Sequence, residues 1–445
     1  MMNTFRLGGI HPEENKLAKD CKIEKIPLPE KAIVFVSQHL GTPAVPVAEK
    51  GQKVKVGTLL AKAEAFICAN THSPFAGTIT KIDNAIDING YKRPAFYIDV
   101  DKNDEWEENI DTTDDLIKDC QLNSQEIIEK IKDRGIVGLG GAAFPTHIKY
   151  MLPEGKKADY LIINAVECEP YLTSDNRVML EQTEEAVVGI TIMMKVLGVN
   201  VAKVGIEKNK PAAISRMKEI VKRYNGIEII PLKTKYPQGA EKQLIYALTK
   251  REVPSGKLPI EVGCVVNNIS TAIAIYYAVQ KNRPLIDNVL TITGKTLLNQ
   301  RNIQVRTGTV LSEIIDYCGG LPSDYGKLVC GGPMMGKAIS SLNAPTTKTT
   351  SSILIMSKAE THRKKETNCL RCGKCVSACP MGLEPIYLFN LSKADRWEEA
   401  EKECAMDCIE CGCCLYTCPA GKPLLDMIRI AKSKITEIRR TKNMK

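Results

Sequence analysis

Cys369-Leu-Arg-Cys372-Gly-Lys-Cys375-Val-Ser-Ala-Cys379-Pro380 recurs in the same spacing as Cys408-Ile-Glu-Cys411-Gly-Cys-Cys414-Leu-Tyr-Thr-Cys418-Pro419. Thiolates three positions apart along a tight turn grip three irons of one cubane, and the cysteine before proline reaches across to the other. This is the ligand spacing of two 4Fe-4S clusters. The predicted sets are Cys369, Cys372 and Cys375 with Cys418, and Cys408, Cys411 and Cys414 with Cys379. Zinc ribbons use two Cys-x-x-Cys pairs and have no use for a third cysteine at the same step followed by Cys-Pro. The chain holds 17 cysteines and shows no secretory signal pattern, which points to a reducing compartment where thiols and Fe-S clusters survive. One-electron chemistry is implied. Cys404 and Cys413 fit neither set and read as packing residues, as do Cys168, Cys264, Cys318 and Cys330.

Around these runs, residues 358–445 read as one helical ferredoxin-type domain. Lys358 to Thr367 is a basic connector, and a helix is predicted from Ala394 to Met406. From Leu424 to Lys445 the residues Leu424, Met427, Ile428, Ala431, Ile435 and Ile438 form one stripe, with Arg429, Lys432, Lys434, Arg439 and Arg440 elsewhere. Such a helix packs its stripe on the domain or lies against an anionic surface or an acidic partner.

At 445 residues the chain exceeds one domain, and at about 150 residues each roughly three are expected. The net charge of +9 is mild, and no aromatic or arginine stacking platform accompanies it, so nucleic acid is not an expected partner. The longest uncharged stretch, Val262 to Gln280, is interrupted by Asn267, Asn268, Ser270 and Thr271 and reads as strand, turn and helix, not as a membrane span.

Residues 1–110 are punctuated by Gly and Pro, with short strands at Ala32–Val36, Lys53–Val56, Gly77–Ile82 and Ala95–Val100. They resemble a biotinyl/lipoyl-type barrel sandwich, but the hairpin tip, Ala65 to His72, has no carrier lysine, so a docking or scaffold module is expected. His39 and His72 read as strand-end or core residues.

Between residues 115 and 286 strands and helices alternate, which argues an α/β layer of Rossmann type. Buried strands are predicted at Leu161–Ile163, Val201–Ile206, Ile227–Leu232 and Val262–Val266, with helices at Ser124–Arg134, Thr183–Leu197 and Pro211–Tyr224. Residues 287–345 read as a small β-rich module. The fold class is thus multidomain α/β with small β modules.

Four loops carry chemistry in the α/β layer. Gly138-Leu-Gly-Gly-Ala-Ala-Phe-Pro-Thr-His-Ile-Lys149 offers bare backbone N–H groups before a helix, with a lysine charge, as anion-binding loops do. Asn164-Ala-Val-Glu-Cys-Glu-Pro170, Gln238-Gly-Ala-Glu241 and Asn267-Asn-Ile-Ser-Thr271 follow strands, where open α/β sheets bind ligands. Together they are able to surround a flavin and a nicotinamide nucleotide.

Gly-x-Gly-Gly-Ala-x-Phe-Pro-Thr, Asn-Ala-x-Glu-x-Glu-Pro and Asn-Asn-x-x-Thr, in this order, resemble the flavin- and NADH-binding subunit of respiratory complex I. The whole chain, from Gly8-Gly-Ile-His-Pro12 through Gly331-Gly-Pro-Met-Met-Gly336 to the paired cysteine runs, resembles the RnfC family of Rnf complex subunits. That resemblance implies a barrel sandwich, a flavin domain, a β-grasp (SLBB) module and a ferredoxin domain. It implies FMN contacts at Gly138, Gly140, Gly141, Lys149, Asn164, Glu167, Asn267, Asn268 and Thr271, and a nucleotide facing Phe144, Glu169 and Glu241. It implies a peripheral subunit on the cytoplasmic face of the membrane that couples NAD(H) to ferredoxin, with membrane subunits and another Fe-S subunit or ferredoxin as partners. The sequence departs at Leu139, Val166 and Tyr171, where the complex I pattern has Arg, Asp and Gly; Tyr171 is placed to stack on a ring or to block one. A flavin/Fe-S cobalamin reductase shares much of the domain order and is the alternative, as is a two-cluster carrier without a nucleotide site.

Overall fold

The computed structural model describes residues 3–443. Four parallel strands form its central α/β sheet in the order Ile227–Leu232, Ala202–Glu207, Tyr160–Asn164, Cys264–Asn268. Their runs of Leu, Ile and Val are continuous, not alternating, because helices cover both faces. Helix Thr183–Leu197 is apolar nearly all round: it lies between the sheet and helix Ile269–Gln280. Gly189 makes that crossing close, since a Cβ there would stand 2.0 Å from the Ala272 carbonyl oxygen. Helix Ser124–Asp133 begins at a capping box in which Asn123 and Glu126 satisfy each other's backbone N–H.

The barrel sandwich packs the sheet of Lys31–Phe35, Lys92–Val100, Gly77–Ile86 and Lys53–Val54 against Val45–Pro46, Leu59–Lys62 and Thr71–His72. Val34, Leu60, Phe75, Ile79, Phe96 and Ile98 fill it. The first residues lie outside this barrel. Asn3 bridges Leu232, Ile10 bridges Tyr236, and Ile23–Lys25 pairs with Arg301–Arg306, so this segment satisfies its backbone at the edges of two other sheets.

The third module is a six-stranded mixed sheet carrying helix Leu311–Tyr317, and its strand Ser352–Ser357 takes it past the expected end at residue 345. The C-terminal region is helical, at Lys374–Ala378, Pro385–Lys393, Trp397–Lys402, Cys413–Thr417 and Leu424–Asn443. The single helix predicted from Ala394 to Met406 is broken, because Asp395 (φ +55°) and Cys404 (φ +59°) are left-handed. Cys404 is exposed, not packed. On the last helix Leu424, Ile428, Ala431 and Ile435 are buried in the domain, Ile428, Ala431 and Ile435 against Leu388 and Leu391, which uses much of the apolar stripe for packing.

Candidate flavin and cluster sites

The α/β chain runs outward from Tyr160–Asn164 to Ile227–Leu232, then returns to place Cys264–Asn268 on the other side of the first strand. Ligands of open sheets bind at the carboxyl ends of strands at such a reversal. Asn164 and Asn268 lie opposite one another at that point. Asn268 caps helix Ile269–Gln280 through Ser270 N–H (2.8 Å), and its amide donates to Asp175 Oδ2 (2.9 Å). Ser270 donates its hydroxyl to the other Asp175 oxygen at 3.0 Å.

The glycine loop hangs over this reversal. Leu139 N–H donates to Thr271 Oγ1 at 3.0 Å and Gly138 N–H to the Phe144 carbonyl at 2.9 Å, closing the loop at both ends. Gly140 and Gly141 are exposed at its crest. Gly140 has φ +78° and a Cβ there would reach 3.1 Å from Asn268 Nδ2, whereas Gly141 faces open space. Phe144 is half-buried. Lys149 donates to the Val266 carbonyl (2.6 Å); burial lowers its pKa, opposed by Glu241, which is exposed in the first turn of helix Glu241–Thr249.

Beneath the loop lies a charged layer that sequence reasoning missed. Lys16, from the N-terminal segment, donates to the carbonyls of Glu167, Glu169 and Leu172 at 2.9, 2.8 and 2.7 Å. Lys210 donates to the Val166 carbonyl at 2.7 Å and stands 3.7 Å from Glu207. Glu167 accepts Asp175 N–H at 2.7 Å, and burial pushes its carboxyl pKa up. No local spacing signals this layer, since Lys16 lies some 150 residues from its acceptors in the chain.

The departures at Leu139, Val166 and Tyr171 resolve into packing. Leu139 and Val166 are buried. Tyr171 adopts φ +71°, packs with Val329 and Leu354 of the third module and donates to Glu360 at 3.0 Å, so its ring neither stacks in the site nor blocks it. Asn164, Asn268, Thr271 and the glycine loop are thus brought together, with Glu167 and Asn267 below. Asn267 donates to Tyr150 at 3.2 Å. Among the described residues Asn267 Oδ1 and Gln238 Nε2 are buried without a hydrogen-bond partner, and Glu167 Oε2 has only the ion pairs to Lys16 at 3.9 Å and Lys210 at 4.0 Å. The exposed glycines at the crest, with Asn268 beside Gly140, fit a bound flavin phosphate and ribityl chain.

Glu169 points elsewhere. Its carboxylate accepts Met334 N–H (3.1 Å) and Met335 N–H (2.8 Å) from the Gly331–Gly336 turn of the third module, with the Tyr236 hydroxyl 3.4 Å away. Burial pushes its pKa up to about 7.

The two cysteine runs meet as a pair of similar turns. Cys379, Cys408, Cys411 and Cys414 line one cavity with Pro380, Leu425 and Ile428. Cys375 and Cys418 lie together around Phe389 and Leu424, while Cys369 and Cys372 are exposed. Backbone N–H groups of Arg371, Glu410 and Leu383 point at the sulfurs of Cys369, Cys408 and Cys379, each at 3.4 Å. Among the described residues no group of three or more Cys, His, Asp or Glu is gathered for a single metal ion. Four thiols around a cavity, with N–H groups aimed at sulfur, instead fit a cubane.

The inner set abuts the flavin unit. Tyr236 donates its hydroxyl to the Cys411 carbonyl at 2.9 Å, Gln243 donates to the Pro380 carbonyl at 3.1 Å, and a Cβ on Gly8 would come within 2.4 Å of Cys379. Cys413 is buried in this contact with Ile10 and Tyr236, and Cys168, rather than being plain apolar filling, accepts Gly239 N–H at 3.3 Å.

Comparisons with known proteins agree in domain order. A barrel sandwich hybrid domain of the RnfC type matches residues 4–103, the Nuo51 FMN-binding domain 131–277 and the SLBB domain 289–338. The chain is 45% identical over 412 residues to a subunit of the proton-translocating ferredoxin:NAD(+) oxidoreductase complex of Clostridium ljungdahlii, covering 91% of this chain and 87% of that one. It is 39% identical to the corresponding subunit of the Na(+)-translocating complex of Acetobacterium woodii, over 99% of both chains. The corresponding subunit of the ion-translocating oxidoreductase complex of Rhodobacter capsulatus is 40% identical over 97% of this chain and 83% of its own. Among solved structures, a chain of an NAD+-reducing [NiFe]-hydrogenase in the H2-reduced state shares the fold at TM-score 0.52 and 17% identity, covering 70% of this chain and 63% of that one.

Proposed function

The chain belongs to the RnfC family of subunits of ion-translocating ferredoxin:NAD(+) oxidoreductase complexes, and from that footing we propose that it carries electrons between NAD(H) and two 4Fe-4S clusters by way of FMN. FMN, when bound, exchanges a hydride for single electrons. Gly140 and Gly141 present N–H groups to its phosphate and Lys149 a cation, while Gly138, its N–H held by the Phe144 carbonyl, closes the loop and Asn164 and Asn268 line the strand ends. Thr271, Asn267 and Glu167 hold that loop and those strand ends from below. Phe144 and Glu241 serve the nicotinamide nucleotide, whereas the Glu169 carboxylate, held by the Met334 and Met335 N–H groups, serves the contact with the third module. Cys379, Cys408, Cys411 and Cys414 hold the inner cluster, and Cys369, Cys372, Cys375 and Cys418 the outer one.

The observation that carries this reading is the contact of Tyr236 with the Cys411 carbonyl at 2.9 Å, which joins the flavin unit to the inner cysteines without solvent between them. The outer set opens on a surface where Leu370 is 67% exposed and Lys364, Lys365, Arg371 and Lys374 are exposed. A ferredoxin or another Fe-S subunit of the complex docks there. Among the described residues no helix is long and apolar enough to cross a membrane; the proposed place of the chain, in keeping with its relatives in ion-translocating complexes, is peripheral, on the cytoplasmic face against the membrane subunits. The test is an anaerobic visible spectrum of reconstituted protein, with flavin and iron quantified, before and after NADH. Flavin bleaching with loss of the broad Fe-S absorbance supports the reading; clusters that respond only to dithionite, in protein without flavin, refute it.

A further inference from the structure

The barrel sandwich, the linker that follows it and the end of helix Ser124–Asp133 enclose an open cavity of about 410 Å³, apart from the four loops of the flavin site. Lys62 and His72 line it from the barrel, Glu107 from the linker, and Lys132, Asp133 and Arg134 from the helix end. Lys62 and Lys132 stand exposed at the rim; His72 is buried and Arg134 half-buried within. The volume is that of a small-molecule site.

A helix C-terminus ordinarily repels an anion, because its last carbonyls are unpaired. Here all of them are taken. The N–H groups of Arg134, Ile136 and Gly135 donate to the carbonyls of Lys130, Ile131 and Lys132 at 2.9, 3.1 and 3.0 Å, and the Asn70 amide donates to that of Asp133 at 3.0 Å. What this end presents to the cavity is therefore side-chain charge. Among the described residues Lys62, Lys132 and Arg134 have no ion-pair partner, and Arg134 Nε is buried without a hydrogen bond. Behind them Lys348 is buried and gives its ammonium only to the carbonyls of Asn70 and Gly135, at 2.8 and 2.7 Å, so no carboxylate neutralises it. The acids on the wall are Asp133 and Glu107, and Glu107 already accepts the Thr58 hydroxyl. Lys62, Lys132, Arg134 and Lys348 outnumber them, and the cavity is positive.

His72 supplies an independent sign of a missing ligand. It is 5% exposed, it lines the cavity, and its Nδ1 has no partner. Burial, with Lys348 and Arg134 nearby, holds its pKa well below the ordinary range, so the ring is neutral and each nitrogen is free to meet a hydroxyl. Buried polar atoms left unpaired beside uncompensated cations cost stability that an entering anion restores.

We propose that this cavity binds a phosphomonoester, with the phosphate held by Arg134, Lys132 and Lys62 and the hydroxyls of its organic part by His72 and the wall carboxylates. A guanidinium fork flanked by ammonium groups suits a phosphate dianion. The volume leaves room for the organic part beside it. The site is separate from the flavin and cluster sites and does not depend on them. Because its walls come from the barrel and the α/β layer, a ligand there ties the two modules together.

Ribose 5-phosphate, which carries phosphate and hydroxyls but no base or hydride-accepting ring, is the probe. It is titrated calorimetrically into full-length reconstituted protein preloaded with FMN, so that the flavin's own phosphate site is filled. Saturable binding and a raised Tm are expected. Lys132→Glu, at an exposed position, and Arg134→Gln are each expected to weaken binding roughly tenfold or more, the size of one charge-assisted hydrogen bond, with FMN content unchanged. Absence of saturable binding to the native protein overturns the site. Undiminished affinity in Lys132→Glu overturns its placement in this cavity, which keeps the test decisive should Arg134→Gln fail to fold. Inorganic phosphate binding as tightly as ribose 5-phosphate overturns the organic part of the assignment.

Discussion

In the first cysteine run Arg371 and Gly373 turn at φ +52° and +70°, and in the second Glu410 and Gly412 turn at +57° and +76°. The backbone is the same, yet Cys411 and Cys414 are 7% and 8% exposed where Cys369 and Cys372 are open to solvent. The company of each turn differs as much. Glu410 pairs with Arg429 at 2.9 Å and Lys432 at 2.6 Å, and the Cys411 carbonyl faces Tyr236, whereas the first run opens with exposed Leu370 and Arg371. A duplicated ligand turn thus acquires its place in an electron path from the surface laid over it. The buried copy meets the α/β unit, and the open copy is the one the proposed docking partner would reach.

The sharpest way to break the comparison is to remove one ligand from each copy. Cys411→Ala is expected to cost about half the iron, one of two four-iron clusters, and to leave flavin reduction by NADH intact while the outer cluster stays oxidised. Cys372→Ala is expected to lose as much iron but to leave inner-cluster reduction by NADH unaffected. Iron assay and EPR after NADH distinguish the two, and equivalent behaviour of the variants would erase the difference between inner and outer.

Next in size is the flavin end of the path. Asn268→Ala removes a helix cap, worth about 1 kcal/mol, and the tie to Asp175, worth about another. A fall in FMN affinity of roughly tenfold or more is expected, read by fluorescence titration, with a lowered Tm.

How much of this was legible beforehand depended on distance along the chain. The helices Thr183–Leu197 and Pro211–Val221 and the strand Ile227–Leu232 follow from local periodicity, and the cysteine runs announce their turns by spacing alone. The break in the helix predicted from Ala394 to Met406 was not legible, because left-handed Asp395 and Cys404 answer to packing rather than to propensity. Lys16, Asp175, Glu207 and Lys210 look like surface charges in sequence; only folding brings them under the glycine loop. Glu169 was read as nucleotide-facing from its motif, and nothing local foretold its embrace by a turn some 165 residues away.

That embrace has a pH signature. The Glu169 carboxyl is raised by burial from 4.5 to about 7, so the folded protein holds a proton the unfolded chain has released. Its contribution to stability is present below pH 4.5 and is lost as pH rises through about 7. Glu169→Gln is expected to flatten this decline in urea melts between those values. A slope unchanged by the substitution would place the proton elsewhere, with Glu167 the first alternative, since burial raises it too.

The smallest effect concerns the charge beside the buried run. Glu410→Gln leaves Arg429 and Lys432 unpaired next to the inner site, so the inner midpoint potential is expected to rise modestly while the outer one stays put. Equal shifts in both would mean that the two sites share one electrostatic environment, contrary to their unequal burial.

Freeze-quenched EPR after rapid mixing with NADH tests the central claim most directly, with the inner signal identified by its loss in Cys411→Ala. The inner cluster is predicted to be reduced first and the outer one to follow with a lag. Reduction of the exposed outer cluster ahead of the inner one would contradict the path.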